Sequence, residues 1–213
     1  MGTSITVVDF DAGNLLSVCR ALSHCGGEVH RAKTPEDIAT AERLVLPGVG
    51  AFGACMDNLE RLEMVEPLRA FARSGRPFLG ICVGMQMLFD ESLEFGHHHG
   101  LGLIAGQVAT IPPVGADGIA HSIPHIGWNA LQPATQPWSE GILDGITPGD
   151  SVYFIHSFAG YPTDPTTTMA TCDYDGVTIV AAVRQDNLTG CQFHPEKSGT
   201  VGLRILSNFL AIR

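Results

Sequence analysis

Short apolar runs alternate with amphipathic stretches through the first ninety residues. Ile5-Thr6-Val7-Val8-Asp9 is rich in β-branched residues and predicts a first strand. Over residues 14–25 the apolar positions recur at helical spacing, and Gly26-Gly27 supplies a stop. Residues 28–31 predict a second strand. Thr34-Pro35-Glu36-Asp37 opens a short helix with an N-cap and a proline at the first position. Residues 43–46 predict a third strand, and 56–73 read as one long amphipathic helix with a possible break at Pro67. The turn at Arg76-Pro77 leads into a buried strand over 78–81, and the mostly apolar run 83–89 predicts a helix.

Strands that alternate with helices pair in parallel and form a doubly wound sheet. Beyond about residue 103 the text changes to proline, glycine and short β-like runs, which predict mixed or antiparallel strands on one side. Residues 188–193 read as a strand and 199–212 as a closing helix. No repeat or long linker divides the chain, so residues 1–213 are expected to form one domain: an α/β fold with an open, mixed, mostly parallel sheet and helices on both faces.

Composition narrows the function classes. Apolar residues make up 45% and charged residues 16%, which fits a globular chain rather than a disordered one. The net charge of −10 argues against nucleic acid as a partner. Residues 4–10 are too short for a signal peptide or a membrane span, so the expected location is cytoplasmic, with no membrane partner. Six cysteines with no C-x-x-C pair are read as reduced thiols.

One of these thiols carries the chemistry. Gly80-Ile81-Cys82-Val83-Gly84 has the spacing of a nucleophile on a sharp strand-to-helix turn, where small neighbours let strand and helix approach. A helix N-terminus there favours thiolate, and the Val83 N–H is placed to meet a developing oxyanion. A solitary cysteine at a strand end is more often a core residue. His194-Pro195-Glu196, about 110 residues on, reverses that reading: His194 supplies a base at a strand end, and Glu196 a carboxylate to orient it. Cys191 is the rival thiol. Its odd separation from His194 would set the two on opposite faces of a regular strand.

The motifs together resemble those of the class I, or triad, glutamine amidotransferases, and within them the glutaminase subunits of imidazole glycerol phosphate synthase. Besides the elbow and His-Pro-Glu, the resemblance runs through the Asp9 to Asn14 segment, Leu46-Pro47-Gly48-Val49-Gly50-Ala51-Phe52, Pro124-His125-Ile126-Gly127-Trp128-Asn129 and Tyr153-Phe154-Ile155-His156-Ser157-Phe158. It implies a flavodoxin-like sheet and a glutaminase with Cys82 as nucleophile, His194 as base and Glu196 as orienter. It further implies an oxyanion hole from Val83 and Val49, with glutamine contacts at Gly48, Gly50, Gln86 and Ser157. The ammonia would pass to a separate (β/α)8-barrel cyclase subunit in a heterodimer of histidine biosynthesis. No cofactor and no metal are expected. Tyr153 and Lys197 would lie near the subunit interface. The chain departs from the family at Asp9-Phe10-Asp11, where Asp-Tyr-Gly is usual. Gly96-His97-His98-His99-Gly100 also departs; adjacent histidines flanked by glycines can bind a transition metal, but zinc ligands usually spread over rigid elements and loops tolerate insertions, so an exposed variable loop is expected.

Overall fold

The computed structural model describes residues 2–11, 13–139 and 141–212; Ala12, inside the Asp9 to Asn14 segment, lies outside them. Strands β1 (Thr3–Val8), β2 (Gly27–Ala32), β3 (Leu44–Gly48) and β4 (Phe78–Cys82) form the parallel half of the main sheet. Their connecting helices are α1 (Leu15–His24), α2 (Pro35–Thr40), α3 (Phe52–Arg61) and α4 (Val65–Arg73). The chain steps from β1 outward to β2, then back across β1 to β3. Right-handed crossovers therefore put α1 and α2 on opposite faces. α1 packs beside the C-terminal helix, and α2 packs beside α4. Local chemistry agrees with this layout. Thr34 and Asp37 form a reciprocal capping box around Pro35 at the start of α2.

The remaining strands are β5 (Phe89–Ser92), β6 (His98–His99), β7 (Ile104–Thr110), β8 (His125–Ala130), β9 (Gln132–Pro133), β10 (Ser151–His156), β11 (Phe158–Pro162), β12 (Thr168–Tyr174), β13 (Val177–Gln185) and β14 (Leu188–Cys191). β14 pairs in parallel with β4, and β13, β12 and β9 continue the sheet antiparallel. The full order is β2-β1-β3-β4-β14-β13-β12-β9. Two small sheets, β10-β8 and β11-β7-β5-β6, cover the end where the strands of the parallel half finish. The helix α5 (Val83–Gln86) follows β4, and α6 (Gly199–Ala211) closes the chain.

Three expectations are corrected. The predicted 83–89 helix is one turn long and gives way to β5, which pairs with β7. Met85 and Met87 to Phe89 are all fully buried, so a continuous apolar run concealed the switch of period. The predicted 56–73 helix is two helices, broken at Glu63, which is left-handed with φ 55°, not at Pro67. Pro67 sits in the first turn of α4, where no N–H is needed. His97 and His99 are exposed as expected, but the segment is not all loop. His98 and His99 pair with Ser92 and Glu91 as strand β6, and the His98 ring lies against Gly53 of α3.

Glycines set how closely the central elements meet. A Cβ on Gly84 would fall 1.8 Å from the Leu46 carbonyl oxygen, and one on Gly80 would fall 2.7 Å from the Gly84 oxygen. No helix among the described residues is long and apolar enough to cross a membrane. Gly84→Ala is expected to destabilise the protein by about 3 kcal/mol. For a chain of this length that is a fall in melting temperature of roughly 10 °C. Thermal unfolding checks this; an unchanged midpoint would mean that strand and elbow do not meet this closely.

Candidate active site

Cys82 ends β4 with φ 55° and ψ −114°, a left-handed geometry that L side chains rarely adopt. The strain holds the thiol at the tip of the turn, at the start of α5, where the first N–H groups of a helix lack intrahelical partners. The register Gly48↔Cys82 and Ile81↔Cys191 brings the ends of β3, β4 and β14 to one edge. Asn14, just beyond β1, reaches the same edge. Side chains beyond the carboxyl ends of parallel strands define the usual ligand crevice of such a sheet.

His194 follows β14. Its backbone N–H donates to the Tyr153 carbonyl at 2.9 Å, and its carbonyl accepts from Ser198 Oγ at 2.6 Å. Its Nδ1 lies 2.7 Å from Glu196 Oε1, and both side chains are almost wholly buried. Asn14 Nδ2 donates to the same Oε1 at 2.6 Å. Glu196 Oε2 is buried without a hydrogen-bond partner among the described residues. Burial pulls the His194 pKa down, but hydrogen bonds to Cys82 and Glu196 and their negative charge outweigh it and raise the value to about 9.

The expectation that Cys191 is not a competing nucleophile has a different basis from strand alternation. β14 ends at Cys191, so alternation does not extend to His194. Cys191 is instead fully buried, which pushes its thiol well up. Burial also raises Cys55 to about 11 and Cys172 to about 12.

Behind the thiol is an amide chain. Gln192 Nε2 lies 3.7 Å from Cys82 Sγ. Gln86 Nε2 donates to Gln192 Oε1 and to the Phe158 carbonyl, both at 2.9 Å. In front of it is a cavity of about 340 Å³ whose lining includes Val49, Gly50, Gln86, Ser157 and Lys197. Gly48 lies behind this lining, against the backbone of Val83 and Gly84. The Val49 carbonyl accepts from the Cys55 thiol at 3.5 Å, so the Gly50 N–H on the same trans peptide points away from α3. Gly50 itself has φ +94°.

Glu94 was missed by sequence reasoning. It is buried, lines the cavity and accepts from the Phe52 N–H at 2.6 Å, at the start of a helix whose N-cap, Ala51, has no side-chain acceptor. The only sequence signal was an acidic residue among the apolar Leu93 and Phe95. Among the described residues no cluster of three or more side chains could hold a metal ion.

A thiol on a strained elbow, sharing a cavity with a buried imidazole that is fixed by a carboxylate, can attack an acyl carbon and protonate the leaving group. Fold and site thus define a cysteine-dependent acyl-transfer domain of the α/β type. The model of the class-I glutamine amidotransferases matches residues 6–212, and the chain belongs to that family. It is 51% identical over 212 residues to the imidazole glycerol phosphate synthase subunit HisH 1 of Legionella pneumophila (strain Lens), covering 99% of this chain and 100% of the relative. It is 47% identical over 209 residues to the HisH subunit of Syntrophotalea carbinolica, covering 96% and 98%. Among solved structures, a glutamine amidotransferase superposes with TM-score 0.72 at 18% identity, covering 97% of each chain. PurLQS from Thermotoga maritima does so with TM-score 0.72 at 20% identity, covering 99% of each. These last two establish the shared fold.

The raised His194 pKa has a consequence for stability. Its folded value, about 9, exceeds the ordinary 6.5. The stabilisation from this proton is therefore fully present below pH 6.5 and is lost as pH rises through 9. Glu196→Gln removes the charge that holds the proton. An NMR titration of His194 should show its midpoint well below 9 in the variant. An unmoved midpoint would show that the carboxylate does not support the charge.

Proposed function

We propose that this protein is the glutaminase subunit of imidazole glycerol phosphate synthase, hydrolysing glutamine and delivering ammonia to a separate cyclase subunit, a (β/α)8 barrel, in histidine biosynthesis. The observation that carries the reading is the strained Cys82 elbow, which lines one cavity with a His194 ring held by Glu196, in a chain half identical to named HisH subunits over its whole length.

In this mechanism the Cys82 thiolate adds to the side-chain amide carbon of glutamine. The carbonyl electrons move onto oxygen, which the Val83 N–H and a backbone N–H near Val49 stabilise. Reorienting the peptides about Gly48 and Gly50 supplies the second donor. His194 gives its proton to the amide nitrogen, the C–N bond breaks, and ammonia leaves a γ-glutamyl thioester. His194 then takes a proton from water, whose oxygen attacks the thioester; collapse expels the Cys82 thiolate and releases glutamate, whose new carboxyl proton passes to solvent. Gln86 and Ser157 contact the substrate, and Glu94 offers a buried carboxylate for its α-ammonium group.

The surface beside the cavity suits a protein partner. Ile126 and Trp128 on β8 and Ile155 on β10 are large, apolar and exposed. Ile155 and Lys197 also line the cavity, so a partner seated there would meet its mouth. Six free cysteines fit a reducing compartment such as the cytoplasm.

Glutamate release tests the reading. Addition of a barrel cyclase and its ribonucleotide ligand should stimulate release, and Cys82→Ala should abolish it, a loss of at least about a thousandfold. Release that no partner alters would overturn the subunit assignment. Release that survives Cys82→Ala would overturn the nucleophile. Glu94→Gln, which loses one charge-assisted contact, should raise KM for glutamine about 10- to 100-fold; an unchanged KM would leave Glu94 as only a helix cap.

A further inference from the structure

We infer that His125 and His156 share one extra proton, as a buried cationic pair that positions Gln86 behind the nucleophile. The inference rests on counting hydrogens along a chain of contacts. His156 Nδ1 lies 2.8 Å from the Phe158 carbonyl, and its Nε2 lies 3.0 Å from His125 Nδ1. His125 Nε2 lies 3.0 Å from Asn129 Oδ1, and Asn129 Nδ2 donates to the Asp173 carbonyl at 2.8 Å. Both ends of the chain are backbone carbonyls, which only accept. Each contact needs one hydrogen. Two neutral imidazoles supply one each and the amide supplies one along the line, which leaves one contact without a hydrogen. Exchanging the oxygen and nitrogen of Asn129 moves the deficit to Asp173 without removing it. One additional proton on the imidazole pair satisfies every contact.

The surroundings both oppose and favour that charge. Burial drives each ring toward the neutral form, lowering His125 and taking His156 to about 3. The nearby imidazoles His121 and His194 oppose it as well. In its favour, Asn129 Oδ1 accepts from His125, and the Asp175 carboxylate, 3.3 Å from His121 Nδ1, adds a weaker attraction. The His125 ring is also stacked between Phe154, at 4.9 Å, and Tyr174, at 4.1 Å, whose π faces attract a cation. A proton delocalised over two rings spreads the charge that burial penalises.

The Phe158 carbonyl gives the pair its consequence. It accepts from His156 Nδ1 and from Gln86 Nε2, and Gln86 in turn holds Gln192 against Cys82 Sγ. Loss of the shared proton opens one contact in the chain and loosens that support. His125 and His156 are positioning residues in this scheme; neither contacts the sulfur.

The test uses the full chain labelled with ¹⁵N-histidine. Between pH 6 and 8 (about neutrality), the pair should show imidazolium-type nitrogen shifts equivalent to one added proton. Asn129→Ala removes the acceptor that demands a hydrogen on His125 Nε2, so both rings should become neutral. Asn129→Asp keeps an acceptor there and should retain the proton. Two neutral rings in the unaltered protein, or the same result in all three proteins, would overturn the inference. A second readout is independent of turnover: the pH dependence of Cys82 alkylation, followed on its own peptide. It should contain an inflection that disappears in Asn129→Ala and persists in Asn129→Asp; its presence in Asn129→Ala would remove the link to the nucleophile. Failure of the glutaminase reading shows instead as absent glutamate release with partner, and leaves both of these readouts intact.

Discussion

The structure depends on the close approach of β3, β4 and the first turn of α5. Gly84 lies so near the Leu46 carbonyl that no side chain can stand there, and Gly80 faces Gly84 across the turn. This contact forces Cys82 into a left-handed backbone. A non-glycine residue there costs about 1–3 kcal/mol, which the surrounding packing must offset. The offset comes from the buried sheet on both sides. Phe78, Leu79 and Ile81 on β4 and Leu44, Val45 and Leu46 on β3 are all essentially inaccessible to solvent. The site is thus mounted on two fully buried central strands.

Electrostatics follow from the same arrangement. The elbow exposes the thiol at a helix start, and β14 delivers His194 beside it. Glu196 is buried, which gives its negative charge a strong hold on the imidazole. Asn14 shares the same carboxylate oxygen, tying the end of β1 to the pair. Burial keeps Cys55, Cys172 and Cys191 protonated. Cys82 shares a cavity with His194, while these three stay inert.

Polar groups buried behind the thiol complete the site. Gln86, Gln192 and the Phe158 carbonyl form a connected network, and the histidines of β8 and β10 join it from the small sheet that also carries Trp128. A surface that presents Ile126, Trp128 and Ile155 is therefore linked by hydrogen bonds to the wall of the cavity beside Cys82. Buried networks of this kind transmit small displacements because each member has few satisfactory alternatives.

The sequence by itself determined the parallel half of the sheet, the closing helix, the elbow and the His-Pro-Glu motif. These are local signals: short continuous apolar runs, a capping box at Thr34, paired glycines two residues from a cysteine. It misread the elements whose identity rests on distant partners. Residues 89–92 are a strand because β7 lies beside them, and residues 98–99 are a strand because β5 does. Glu63 breaks a helical pattern that its neighbours would otherwise continue. Only the tertiary structure decided that Glu94 turns into the cavity, that Cys191 is sealed, and that His125 and His156 form a chain with one hydrogen too few. Burial and hydrogen-bond partners arise from contacts such as those across 31 and 182 positions, and no periodicity in a linear text records them.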